Sequence, residues 1–486
     1  MKCLKSFDGT DWVDIHPKRF DGTNWVDTPL RRAVGYSDRP VWIITDDATK
    51  HCYGYHIDGA TGDVTYIPGT DNESFTPAAM GSTTFDYGSW PQDAFFIPKP
   101  CMVKYDGTVD YFLDPDDYSK KLDGTASDVA DLSYGGNCML QFPVIYHASI
   151  TTADDGSVDE YFANYKVDDR FECYCNYDAE NNLIPYFYVS AFNGCTYDGK
   201  MRSISGLKLT PWTTTAYSAS ATYAVGDRRN YDGKALVCIE AITEPEAFDS
   251  SKWEQYAFNA QTAGQEEIAQ ARANNTTATD EWYTYLVADH DLLAKLATLL
   301  CKHLNHQTKF GRGIDSGGQP AKEAYITGTL NDKGLFYGNT ANGTTAVKIF
   351  GIENFYACTW KRAAGLIGTS TGYAYKLTHG TKDGSTATSF NTNGTGYKTL
   401  ARTKPASGYV TTMHYEPDGF WIPSTAGTNR YGVYYWNGNG YALLGGYSYY
   451  GARCGSWYVS LYGGVGYRDW GISSALSLKP RAVASE

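Results

Sequence analysis

Only one stretch of this 486-residue chain carries a sustained helical period. Trp282, Tyr285, Leu286, Leu292, Leu293, Leu296, Leu299 and Leu300 recur every three to four residues, the spacing that lines one face of a helix with apolar side chains. Upstream, Gln265 to Ala273 reads as a shorter helical segment, and Thr276 to Glu281 as a polar cap stretch. On both sides the chain is punctuated by glycine, aspartate and threonine. Between these lie short runs such as Tyr105 to Phe112, Cys138 to Ala148, Glu172 to Tyr177 and Tyr186 to Phe192, which read as strands. Two β-rich parts flanking one helical segment predict an α+β fold rather than a parallel sheet.

Composition narrows the function. The net charge of −13, without a Lys/Arg run, argues against nucleic acid as a partner. Asp289, His290, Asp291 and Lys295 interrupt the most apolar helical stretch, Tyr283 to Leu304, so it is not expected to insert into a membrane. Met1 to Thr10 has no apolar core and does not read as a secretory signal. The eleven cysteines include no CxxC pair, and Cys173 and Cys175 are too close to bridge comfortably, so free thiols in a reducing cytoplasm are expected. Cys301, His303 and His306 cluster at a helix end, but with no fourth ligand they read as structural; neither a metal nor a cofactor is expected.

The chain opens on a repeat: Phe7-Asp8-Gly9-Thr10-Asp11-Trp12-Val13-Asp14 returns thirteen residues later as Phe20-Asp21-Gly22-Thr23-Asn24-Trp25-Val26-Asp27. Each copy reads as strand, Asp-Gly turn, strand. Neither can build its own core, so residues 1–35 are read as an attachment or oligomerisation segment. Residues 36–94 read as a small β unit. A compact insert occupies 211–258, separating a first β-rich part, 95–210, from a second, 259–486.

The second part ends in the most unusual composition of the chain. From Tyr431 to Gly471, 21 of 41 residues are tyrosine or glycine, and only Arg453, Arg468 and Asp469 are charged. Spaced anchors that read as structural (Gly445-Gly446-Tyr447, Gly455, Trp457-Tyr458, Leu461, Trp470, Ile472, Leu476) alternate with Tyr, Ser, Gly, Asn and Arg. Tyrosine offers a large amphipathic contact with only two torsions to freeze. Tyr449-Tyr450 and Tyr467-Arg468-Asp469 are adjacent in sequence and cannot all face one core. The stretch reads as a binding surface; a glycine-punctuated β core is the alternative.

The insert contains Tyr223-Ala224-Val225-Gly226-Asp227, Tyr231-Asp232-Gly233-Lys234, Pro245 and Trp253, between Trp212 and Tyr256. It resembles the chitin-binding-type carbohydrate modules of families 5 and 12. The resemblance implies sugar stacking on Tyr217, Tyr223, Tyr231 and Trp253. Ala235 stands where that family often has an aromatic residue, and there is no tandem Trp, so a spacer without sugar binding is the other reading.

A larger set of segments resembles phage tail-tip and tail-fibre proteins. It comprises Leu113-Asp114-Pro115-Asp116-Asp117-Tyr118, Asp123 to Asp128, Gly136-Asn137 through Phe142-Pro143, Asp198 to Gly206, Gly328 to Phe336, and Lys348 to Phe355. Gly445-Gly446-Tyr447, Trp470-Gly471-Ile472 and Leu476-Ser477-Leu478-Lys479-Pro480 complete it. The resemblance implies a C-type lectin-like head of the formylglycine-generating-protein version, divided between 95–210 and 259–486, with small all-β modules at the N-terminus and in the insert. It implies a receptor-binding protein or adhesin on the virion, at the tail tip or fibre, assembled in the host cytoplasm. The expected partners are a bacterial surface protein or glycan, other tail proteins at the N-terminus, and two further copies in a homotrimer. The family's variable, outward positions fall on Tyr449, Tyr450, Arg453, Ser460, Tyr462, Gly463, Tyr467, Asp469 and Gly471. In some members a retroelement that mutates adenines diversifies this stretch. The residues between the anchors from Ser448 to Gly471 include no Lys, Glu, Gln, Met or Trp, which fits such mutation of Asn-type codons.

Three other readings compete. A cysteine-dependent oxidase needs two close C-terminal thiols, and Cys454 has only the distant Cys358. A polysaccharide-degrading tail enzyme needs paired carboxylates across a bond, and no local pair stands out among 54 acidic residues. A bacterial surface adhesin is the remaining non-enzyme alternative. The chain is read as a binding protein, not an enzyme.

Overall fold

A computed structural model describes residues 5–7, 12–14, 18–20, 25–27, 31–36, 40–152, 156–208, 215–256, 258–259, 264–276, 281–316, 325–377, 391–416, 419–427, 433–464, 466–467, 469 and 471–481. The Asp-Gly turns of the N-terminal repeat, Trp212, the cap stretch from Thr277 to Asp280, Arg468 and Trp470 lie outside them.

The body is a curled β structure, 36% strand and 8% helical. A seven-stranded antiparallel sheet runs in the order Asp117–Lys121, Val109–Asp114, Lys99–Lys104, Gly136–Pro143, Tyr186–Ser190, Leu476–Leu478, Trp282–Thr284. A four-stranded sheet pairs Tyr146–Thr151 and Val158–Ala163 with Cys52–Ile57 and Val64–Tyr66, so segments 36–94 and 95–210 share a sheet. The largest sheet runs Lys398–Leu400, Tyr373–Tyr375, Trp360–Gly368, Tyr441–Leu444, Val459–Ser460, Tyr434–Trp436, Gly408–Tyr415, Trp421–Gly427, with Ile472–Ser473 added in parallel beside Trp360.

This arrangement overturns the α+β expectation, and no lectin fold is identified in it. The cause lies in the segment that prompted the expectation. Its periodic set begins in a strand, Trp282–Thr284, and the helix proper (α2) is Val287–Cys301. All fifteen residues of α2 are buried. A helix buried all round fills a core that sheets enclose, rather than forming a layer of its own. The only other α-helix among the described residues, α1, is Gly264–Arg272.

Burying α2 requires partners for its polar groups. At its C-terminal end, Ala78 N–H donates to Leu300 O (2.8 Å), Trp90 Nε1 to the same carbonyl (3.1 Å) and Tyr66 OH to Leu299 O (3.0 Å). Lys302 then takes a left-handed φ of 53° and ends the helix. Asp289, in the first turn, accepts from Lys479 Nζ (2.5 Å) and Ser477 Oγ (2.7 Å). Asp291 accepts from Tyr174 OH (3.0 Å) and pairs with Lys295 (3.0 Å), which also donates to Gly419 O (2.6 Å). Asp289-His290-Asp291 is thus core hydrogen bonding. The ten described cysteines are free and buried.

The N-terminal repeat forms two small antiparallel pairs, Lys5–Phe7 with Trp12–Asp14 and Lys18–Phe20 with Trp25–Asp27. The insert has its own three-stranded sheet, Arg228–Tyr231, Lys234–Cys238 and Trp253–Gln255. Asp232 (φ 50°) and Gly233 (φ 73°) make the tight turn between its first two strands.

The Asp289–Lys479 pair ties the chain's last strand to the core helix, with both side chains fully buried. Asp289→Ala is expected to cost about 3–5 kcal/mol in urea unfolding, because it strands a buried ammonium. Asp289→Leu combined with Lys479→Met is expected to cost less than that single change. A double variant as unstable as the sum of its parts would contradict this coupling.

Candidate functional site: an exposed aromatic face on the largest sheet

The strands Tyr434–Trp436, Tyr441–Leu444 and Val459–Ser460 lie side by side, and the two segments joining them to Ile472–Ser473 carry most of the predicted contact residues. Beneath the face sits an aromatic base. Trp360, Leu443, Tyr458 and Ile472 are buried together, with half-buried Tyr434, Trp436, Tyr447 and Tyr450 packed on them. Trp360 and Tyr458 meet edge-on at 4.5 Å, as do Tyr447 and Tyr450, the geometry that ring quadrupoles favour.

Above this base the predicted residues separate into three groups. Tyr449 (66% exposed), Tyr462 (70%) and Tyr467 (49%) project into solvent, and Arg453 is exposed with its guanidinium 4.9 Å from the Tyr434 ring centre. Tyr450 is half-buried between Trp360 and Trp436, each 5.7 Å away, and Asp469 is half-buried, accepting from Gly471 N–H (2.8 Å). Ser460, Gly463 and Gly471 are buried. The two glycines make room for rings: a Cβ on Gly471 would lie 2.7 Å from Tyr447, and one on Gly463 3.3 Å from Tyr467.

The contact positions singled out from the sequence omit Tyr409, outside the Tyr431–Gly471 stretch, and Tyr434 and Trp436 within it. Tyr409 and Tyr434 meet at 5.1 Å, and Trp436 lies 5.8 Å from Tyr462, so they extend the same aromatic surface. Their strand-like surroundings hid them, because alternation alone does not tell which face is covered.

The backbone under the face is fixed from below. Ala357 (φ 59°) and Cys358 (φ 57°) adopt left-handed conformations rare for non-glycine residues. Their amides donate to Gly445 O (3.0 Å) and Ile314 O (2.9 Å), while Ser448 N–H donates to Cys358 O (3.1 Å). Ser456 is held by two histidines. His290 Nε2 contacts its carbonyl (2.6 Å) and His306 Nδ1 its hydroxyl (2.6 Å). The opposite nitrogens meet Tyr285 OH (3.0 Å) and Thr298 Oγ1 (2.9 Å). Thr298 already donates to Ala294 O, so His306 Nε2–H donates to Thr298 and Nδ1 accepts from Ser456, the pattern of a neutral ring. His306 is therefore engaged within the core, while Cys301 contacts His303 O (3.2 Å). Among the described residues no group of three His, Cys, Asp or Glu side chains is placed to hold a metal ion.

Burial pushes the Cys454 thiol well above its ordinary value, and its contact is Tyr447 O (3.3 Å); it is not poised as a thiolate. Glu353 is buried with its carboxyl pushed upward by desolvation, and accepts from Leu330 N–H and Thr329 Oγ1, both at 3.2 Å. In the insert, Tyr223 and Trp253 are buried, and Tyr217 stacks on Tyr223 at 5.1 Å. Tyr231 is 41% exposed and stacks at 3.8 Å on Phe248, a ring the sequence reading did not single out. The insert thus offers Tyr231, Phe248 and part of Tyr217 to solvent.

Burial lowers His290 from 6.5 to about 4 and His306 from 6.5 to about 3. Both folded values lie below the unfolded one, so the unfolded chain binds more protons as pH falls. Their stabilisation is complete above about pH 6.5 and is lost as pH falls through about 4 and then 3. For His290 this amounts to on the order of 3 kcal/mol. Thermal melts of wild type and His290→Gln between pH 7 and 4 should converge as pH falls; parallel curves would contradict the assignment. No known protein family matches this chain, and no curated protein matches it.

Proposed function

We propose that the chain is a receptor-binding protein of a phage tail, an adhesin that recognises a bacterial surface protein or glycan through the aromatic face around Tyr449, Arg453, Tyr462 and Tyr467. The observation that carries this reading is the exposure of three tyrosines and an arginine directly over a buried aromatic base. Rigid aromatic and guanidinium groups at the centre of a face are the residues that dominate recognition energies. The phage tail-like segments in the sequence supply the biological context. They also support placement on the virion, a homotrimeric assembly, and attachment of the N-terminal repeat to other tail proteins.

Retroelement diversification belongs to the same proposal. The groups that hold the backbone are buried: Ser448, Ser456, Ala357, Cys358 and the two histidines. The exposed side chains contribute little to that framework, so their identities can change while their positions stay fixed. Several identical faces on one virion would multiply a modest single-site affinity.

Tyr449→Ala and Tyr462→Ala are each expected to weaken binding of the labelled protein to a panel of intact bacterial cells by about tenfold or more. The melting temperature should stay within a few degrees of wild type, because exposed substitutions seldom cost more than about 0.5 kcal/mol. Binding that survives both changes, or a matching loss of stability, would defeat the proposal.

A further inference from the structure

Between Ser460 and Ile472 the described residues lie outside the strands and include Tyr462, Tyr467 and Asp469. The ends of this segment are held by main-chain bonds, from Gly440 N–H to Leu461 O (2.7 Å), Tyr441 N–H to Gly463 O (3.1 Å) and Trp360 N–H to Gly471 O (2.7 Å). Its middle has a different support. Arg362, on the strand Trp360–Gly368, donates from Nη2 to the backbone carbonyl of Tyr467 at 2.5 Å. Its Nη1 donates to Glu267 Oε1 of α1 at 2.6 Å. The two side chains are 1% and 0% exposed.

A fully buried guanidinium beneath an exposed loop is costly unless its geometry is enforced. Here the fork has one prong on a helix and the other on the loop. Oε1 of Glu267 accepts from this arginine, and its second oxygen has no hydrogen-bond partner among the described residues. The helix is itself seated: Ile268 packs with Ala364, Ile367, Ala374 and Tyr441. The Glu267 carboxyl oxygen therefore sets the plane of the guanidinium, and the guanidinium sets the height of the Tyr467 carbonyl.

We propose that Glu267 and Arg362 are a positioning pair that pre-organises the Tyr462–Tyr467 loop for recognition, an inference that rests on the function proposed above. Neither residue touches the ligand. The pair acts by removing the ordering cost that a free loop would pay on binding. A lysine cannot replace the arginine, since a single ammonium cannot span both acceptors in a fixed plane.

Hydrogen–deuterium exchange on the full chain tests the pair without any ligand. Arg362→Lys should speed exchange across residues 462–467 by tenfold or more, while the 447–453 turn keeps its wild-type rate. Glu267→Gln, which retains an acceptor for Nη1, should give a smaller increase and serves as the milder variant if Arg362→Lys folds poorly. In a parallel arm, binding to the panel of intact bacterial cells should fall at least fivefold for Arg362→Lys. Unchanged loop exchange, or an increase spread uniformly over the protein, overturns the positioning role whether or not the cells bind. Faster loop exchange with undiminished binding also overturns it, yet leaves the recognition face standing if Tyr449→Ala still loses binding. If wild type binds no cell of the panel, the exchange arm alone decides the pair and the failure falls on the function.

Discussion

Everything in this fold hangs on a helix that never reaches solvent. Helix α2 brings Asp289, His290, Asp291, Lys295 and Thr298 into the interior, and each must find a partner there. The partners come from far along the chain: Ser477 from the strand Leu476–Leu478 and Lys479 just after it, Tyr174 from a loop of the first β part, Gly419 from just before the strand Trp421–Gly427, and Ser456 through both histidines. Apolar burial alone would tolerate sliding or rotation of such a helix. Directional bonds on several sides do not, and so they fix the sheets relative to one another.

That rigidity reaches the candidate recognition face. Ser456 lies between the turn carrying Tyr449 and Arg453 and the strand Val459–Ser460, so the histidine contacts seat the face directly on the core. The strained pair Ala357-Cys358 and the Glu267–Arg362 link do the same from other sides. A face supported in this way can expose large aromatic side chains without relying on them for stability. Its glycines work in the same direction, with Gly471 yielding its side-chain space to the Tyr447 ring.

Much of the local structure was legible in the residues. Tyr105 to Phe112, Cys138 to Ala148 and Tyr186 to Phe192 overlap strands, and the leucine-rich period marks α2. Glu172 to Tyr177, which also reads as a strand, instead forms turns between isolated bridges. Leu476-Ser477-Leu478 is a strand, followed directly by the buried Lys479. What misled was the step from local pattern to architecture. A helical period indicates a helix but not whether one side or every side is covered. Asp289, His290 and Asp291 register in the sequence only as interruptions of an apolar stretch, because partners separated by well over a hundred residues leave no local trace. The same blindness explains the site. Tyrosine and glycine content located the stretch, whereas Ser460, Gly463 and Gly471 proved to be buried, and Tyr434 and Trp436 joined the surface from a neighbouring strand.

The central claim is that recognition takes place on the aromatic face and not on the insert or another surface. Hydroxyl-radical footprinting of the intact protein, free and bound to bacterial cells, addresses it most directly, since tyrosine and tryptophan report their own exposure. The account predicts protection of Tyr449, Tyr462, Tyr467 and Trp436 on binding, with Tyr231 of the insert and the exposed Trp42 of the strand Val41–Ile44 as reactive as before. Protection of Tyr231 and Phe248 with the C-terminal tyrosines unchanged would contradict it.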